Sequence, residues 1–216
     1  FSFDAGTAGA ILLPEDAYRF ARGEEIVSSY GIPVKLSRPL DWLAVTDHTD
    51  NMGFIVDLVE GNPDILATPQ GKDWHERLKT AGKDDKPEIA YEIIKALMVT
   101  KTFPQEIYYG PESAGYKSTW EKIVKTAEQY NEPGRFSAII GYEWTSTLNG
   151  NNLHRNVLYR DSGEKAAQVM PYTTTPPLGS PDPMDLWKWM AHYEQETGGK
   201  ILALAHNGNV SNGNMF

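Results

Sequence analysis

The stretch Leu40-Asp41-Trp42-Leu43-Ala44-Val45-Thr46-Asp47-His48-Thr49-Asp50 decides how the rest of the chain is read. Trp42 to Val45 is a short apolar run without internal Gly or Pro, the pattern of a buried strand. It stops in Asp47, His48 and Asp50, three side chains able to hold a metal. A core strand that ends in such groups is a candidate site, and the test is whether other strands end the same way.

Phe136 to Tyr142 is a second apolar run, and it ends in Glu143. After the turn cluster Asn149-Gly150-Asn151-Asn152, a third strand is expected from His154 to Tyr159, and a fourth from Lys200 to Ala205 runs into His206. Between them lie segments with helical signals. Pro14 with Glu15 and Asp16 starts a helix expected to reach about Ser29, and 54–60, 73–81 and 87–100 follow at helical spacing. Ser118 is read as the cap of a helix over 119–130, and Asp182 as the cap of one from Pro183 to about Thr197. The segment 162–181, rich in Pro, Thr and Ser, reads as a long loop that could serve as a lid or rim. Strand and helix in alternation predict an α/β fold with a parallel sheet or barrel.

In such folds the C-terminal strand ends converge on one face, so Asp47, His48, Glu143, His154 and His206 can meet. Mixed imidazole and carboxylate sets hold hard or borderline divalent ions, and a carboxylate can bridge two of them. Each residue alone has a plainer role. A single His is more often a hydrogen-bonded structural residue, Glu143 could pair with Arg155 or Arg135, and Asp47 could cap a turn. Their recurrence at equivalent strand ends is what points to a metal centre. His75 and His192, inside expected helices among charged neighbours, are read as surface or structural residues, and Trp187 with Trp189 as packing.

The totals bound the classes. With 216 residues, 40% hydrophobic and 23% charged, the chain is an ordinary globular one with room for a real core. A net charge of -9, from 20 basic and 29 acidic residues, argues against nucleic acid as a main partner. Cysteine is absent, so thiolate ligands, a Cys nucleophile and disulfides are excluded. No apolar run approaches a membrane span. Phe1 is not Met and the pattern continues to Phe216, so a fragment is expected, which leaves compartment and oligomeric state open.

With these residues assembled, the chain resembles the PHP (polymerase and histidinol phosphatase) superfamily, and most closely its DUF3604 branch. The carriers are Ala-Val-Thr-Asp-His-Thr-Asp at 44–50, Gly-Tyr-Glu-Trp-Thr at 141–145, Leu-His-Arg-Asn-Val-Leu-Tyr at 153–159 and Ala-His-Asn-Gly-Asn-Val-Ser-Asn-Gly at 205–213. The resemblance implies a single, incomplete domain over 1–216, part of a distorted (β/α)7 barrel with parallel strands. It implies up to three divalent ions (Mn, Zn or Fe), with His48, Glu143, His154 and His206 as ligands and Glu143 bridging. Asp47 would be a weak or outer ligand. Ser2-Phe3-Asp4 is similar to the tail of the family's opening motif, which adds Asp4 as a ligand. The His-x-His pair that opens that motif and the closing Asp-x-His element are absent, so the chain as given is expected to bind metal weakly or incompletely.

The implied chemistry is hydrolysis of a small anionic ester, a phosphoester first and a sulfate ester second, with Glu143 and His48 at the metal and Arg155 gripping the anion. A barrel kept as a non-catalytic binding or structural module is the alternative.

Overall fold

A computed structural model of the chain describes residues 5–6, 9–82, 85–206 and 208–215, the side chains of residues 98 and 99 excepted. Helix α1 (Pro14–Ala21) opens with Pro in its first turn, and the Asp16 carboxylate accepts the Leu13 backbone N–H at 3.1 Å. The expected run to Ser29 stops early because the chain turns into a two-stranded ribbon, β1 (Ile26–Val27) against β2 (Pro33–Val34). Strand β3 (Trp42–Ala44) follows, then α2 (Phe54–Glu60), α3 (Pro63–Leu66), α4 (Pro69–Thr80) and α5 (Lys86–Ile94), which runs on as a π-helical turn over Lys95–Val99.

Helix α6 (Ala114–Tyr130) begins earlier than expected. Ser113, not Ser118, is its cap and accepts the Tyr116 N–H. Strands β4 (Ser137–Ile139) and β5 (Gly141–Trp144) replace the single run expected over 136–142. The hairpin β6 (Thr147–Leu148) and β7 (Asn151–Asn152) leads to β8 (Arg155–Tyr159). Short α7 (Gly163–Ala166) precedes the loop to Pro181. Helix α8 (Pro183–Thr197) is capped by Asp182 as expected, and β9 (Ile201–Ala205) ends the described strands.

The parallel (β/α)7 barrel is not what forms. Among the described residues the strands make four small separate sheets. There β3 with β4 is the one parallel strand pair, while β5, β8 and β9 form a three-stranded sheet with both pairings antiparallel. The reason lies in chain length and turn chemistry. The link 145–154 between β5 and β8 is shorter than the roughly dozen residues a parallel crossover needs. At its tip Asn149 and Gly150 both take positive φ, 54° and 80°, the geometry of a tight hairpin turn. An Asn-Gly pair between strands therefore dictates reversal, and strand–helix alternation was a misleading guide there.

Two apolar cores hold this frame. The larger packs α6 and α8 on the back of the three-stranded sheet, with Trp120, Tyr142, Trp144, Tyr159 and Tyr193 buried together. The Trp120 indole N–H donates to the Val169 carbonyl at 3.1 Å, which removes the penalty of burying it. Burial pushes the phenols of Tyr116, Tyr142 and Tyr159 far above their usual range, so they stay neutral. The second core joins α2, α4 and α5 around Phe54, Trp74, Ile93 and Phe103. Gly53, at φ 87°, sets the entry of α2; a Cβ there would stand 2.2 Å from Thr119 Oγ1 on α6. That glycine lets the two cores approach. No helix among the described residues is long and apolar enough to cross a membrane.

Candidate metal centre

The site is built on strand edges. Beyond β3 the backbone of Asp47 to Thr49 returns to the neighbouring strand: Glu143 N–H donates to the Asp47 carbonyl at 2.8 Å and Thr49 N–H to the Glu143 carbonyl at 2.9 Å. His48 and Glu143 thereby form a parallel bridge. In the three-stranded sheet, Trp144, Arg155 and Ala205 lie in one cross-strand row. One step further, Thr145, His154 and His206 reach the same edge. Because side chains alternate along a strand, Glu143 and Thr145 share a face. Tyr142 and Trp144 point to the core behind.

On that face the Glu143 carboxylate is the hub. Its Oε1 lies 2.7 Å from His154 Nδ1 and 2.5 Å from His206 Nε2, and its Oε2 lies 3.7 Å from His48 Nδ1. His48, Glu143 and His154 can each present one ligand atom with all three atoms within 4.8 Å of one another. His206 joins through Glu143 Oε1. The His48 and His154 rings meet edge to face, 5.4 Å between centroids. Glu143 is only 8% exposed. Burial by itself raises its pKa, but the His154 hydrogen bond, the nearby His48 and the His206 hydrogen bond outweigh it and leave the carboxyl below its ordinary range.

Other groups hold these four in place. Asn152 Oδ1 accepts the His154 backbone N–H at 2.9 Å and so fixes the entry to β8. The Thr145 hydroxyl donates to the Glu143 carbonyl at 2.9 Å and lies 2.8 Å from His48 Nδ1. Two imidazole nitrogens at one carboxylate oxygen and a third nearest the other, with no sulfur donor, suit Zn, Fe or Mn. Ligand atoms around one such ion, bonded at roughly 2.0–2.2 Å in a tetrahedron, stand about 3.3–3.6 Å apart, so an ion would spread the 2.5 and 2.7 Å contacts and suit the 3.7 Å one nearly as it is. The donor set fits a divalent cation.

The chain belongs to the DUF3604 family. The family model, described as a protein of unknown function, matches residues 1–216. No curated protein and no solved structure matches the chain. The DUF3604 match therefore supplies kinship and no activity.

Among the residues expected at the site, His48, Glu143, His154 and His206 come together. Asp47 adjoins them through its backbone. Its carboxyl group stands outside the tight set, and the residue lines a mainly apolar cleft of about 600 Å³ with Leu13, Val56 and Leu78. Arg155 points the other way, as alternation from His154 requires. Its Nη1 donates to the carbonyls of Leu153 at 2.5 Å and His154 at 3.1 Å and lies 2.8 Å from Met215 Sδ. Burial lowers its pKa from the usual guanidinium value. Asp4 lies outside the described residues.

Asp50, the third ligand-type group of the opening stretch, has a different task. Its carboxylate accepts from the hydroxyls of Thr49, Thr174 and Thr175 and the backbone N–H of Thr174, all within 3.3 Å, and so ties the 171–181 segment down beside the site. Ser146 makes a second tie, donating to the Pro181 carbonyl at 2.6 Å. The sequence signal for this was the Thr-Thr-Thr run at 173–175. Thr145 was likewise visible in the Gly-Tyr-Glu-Trp-Thr motif, without a role until its two contacts were known.

Proposed function

We propose that this chain is a metal-dependent hydrolase of small anionic esters, phosphoesters first and sulfate esters second, with the chemistry of the PHP superfamily it resembles. The observation that carries this reading is Glu143 Oε1 standing 2.7 Å from His154 Nδ1 and 2.5 Å from His206 Nε2 beside His48. Such a set, buried at the edge of a sheet with three imidazoles around one carboxylate, is suited to a divalent ion better than to a structural ion pair. When bound, a divalent cation supplies Lewis acidity, making water a nucleophile near neutral pH and offsetting negative charge on ester oxygens.

The protein's own share is positional. Glu143 holds its charge because its carboxyl lies below the usual range, and its two oxygens face different imidazoles. That arrangement lets one carboxylate serve two ligand positions, or two ions. His48 and His154, nearly perpendicular, set two directions of approach. The loop tied by Asp50 and Ser146 forms a fixed rim that limits water and orients the substrate. Arg155 braces the backbone of His154 through its carbonyl, so it acts on ligand placement and not on the anion.

The test is a panel of phosphate, sulfate and carboxylate esters assayed with added Mn, Zn or Fe and again after chelation. Metal-dependent cleavage of a phosphate or sulfate ester supports the reading. Cleavage of carboxylate esters alone, or activity untouched by chelation, overturns it.

A further inference from the structure

We propose that Asn152 is a positioning residue of the centre, whose side chain ties the backbone of His154 to the 208–214 segment and so sets the spacing of the His154 and His206 imidazoles at Glu143. The inference deepens the metal-centre reading and rests on it for its purpose. His154 and His206 stand at one sheet edge, and strand pairing stops just short of them: Arg155 with Ala205 is the last pair in the described β8–β9 register. Past that pair Asn152 takes over. Its backbone N–H donates to the Val210 carbonyl at 3.1 Å, and its Nδ2 donates to Asn209 Oδ1 at 3.1 Å. Its Oδ1 accepts the His154 backbone N–H at 2.9 Å. The two histidines are thus bracketed, by strand pairing on one side and by Asn152 on the other.

The direction of each bond is fixed by what its partner can do. A backbone N–H only donates, so the Asn152 atom facing His154 is the oxygen, and the amide nitrogen is left facing Asn209. Asn152 is 9% exposed, which limits competition from water. The segment it holds does not rest in this shape unaided. Val210 takes φ 56°, a left-handed conformation that a β-branched side chain disfavours, and at 72% exposed that side chain gains little packing in return. The bond its carbonyl accepts from Asn152 holds it, and Asn212 Nδ2 donating to Asn151 Oδ1 at 2.6 Å is a second stitch. Strained backbone of this kind persists where its surroundings over-determine it, and such places cluster at functional sites. A hairpin residue that served the fold alone would need only its pairing with Thr147.

The experiment uses the full chain and its Asn152→Ala, Asn209→Ala and Asn209→Asp variants. Asn209 is exposed, so its variants spare the fold, and Asp keeps the oxygen that accepts from Asn152. Calorimetric titrations with Mn2+ and Zn2+ are expected to show affinity lost by about 10- to 100-fold in Asn152→Ala, by about 10-fold in Asn209→Ala, and kept in Asn209→Asp. Co2+ in place of Zn2+ adds a readout that stability alone does not move, because its visible absorption follows ligand geometry. That spectrum is expected to change in both alanine variants and to match the wild type in Asn209→Asp. Unchanged affinity and spectrum in either folded alanine variant overturn the assignment, even where the melting temperature falls. If Asn152→Ala does not fold, the two Asn209 variants decide. Equal losses in Asn209→Ala and Asn209→Asp overturn it as well, because the accepted bond is then not what matters. A wild type that binds none of the three ions removes the centre and the assignment with it, whereas binding that ignores the variants removes the assignment and leaves the centre.

Discussion

His48 is bridged to Glu143 in the same register that pairs Trp42 with Ser137 and Ala44 with Ile139. The parallel ladder lapses for a few residues and then resumes at the two residues that face each other across the centre. Two candidate ligands are thus placed by backbone pairing between segments that are far apart in sequence.

Glu143 follows as the residue the centre can least lose. Glu143→Gln keeps the side-chain shape but removes the charge that faces three imidazoles. Divalent-ion affinity by calorimetry is expected to fall by more than ~100-fold, beyond the loss typical of outer hydrogen-bond partners. Unchanged affinity in a folded Glu143→Gln protein would remove Glu143 from the ligand set.

Asp50 is expected to act on the loop and not on the ion. It is 3% exposed and satisfied by three hydroxyls and a backbone N–H. Asp50→Ala strands those donors and should cost about 2–4 kcal/mol in denaturant unfolding. Hydrogen exchange over residues 172–180 should accelerate more than over α6. Uniform acceleration across the chain would mean that Asp50 supports the whole fold instead.

A pH effect is expected away from the site, at Glu92. Its carboxylate accepts from Arg77 Nη2 at 2.7 Å and from the Trp74 indole at 2.9 Å. The Arg77 hydrogen bond holds its pKa below the ordinary value, against a smaller opposing effect of burial. A depressed folded-state pKa contributes stability above the unfolded value, near 4.3, that is lost as pH falls through the folded value. Because the group is partly exposed and screened, Glu92→Gln should cost only about 1 kcal/mol at neutral pH. The gap from wild type should close in acid below pH ~4. A constant gap across that range would show that the pair contributes by packing alone.

The His and Glu cluster was legible in the sequence because polar residues at the ends of apolar runs stand out against a core. His48, Glu143, His154 and His206 carried that contrast, and their strands were placed to within a few residues. Strand direction was not legible from alternation, and the decisive signal was the Asn149-Gly150 pair with too short a link on either side. Asp50 was indistinguishable from a ligand in the sequence because a buried carboxylate ties a loop or holds an ion with the same side chain. Only its partners at 174 and 175 separate the two roles. Arg155 was assigned by adjacency to His154, yet adjacent strand residues face opposite ways.

The central claim is that His48, Glu143, His154 and His206 form a centre for a divalent ion. Elemental analysis of the purified full chain, followed by calorimetric titration of the chelated protein with Mn2+ and Zn2+, tests it most directly. The account predicts binding of at least one ion per chain, lost in a folded His154→Ala, His206→Ala double variant. A folded wild-type chain that takes up neither ion, or a double variant that binds as the wild type does, would contradict it.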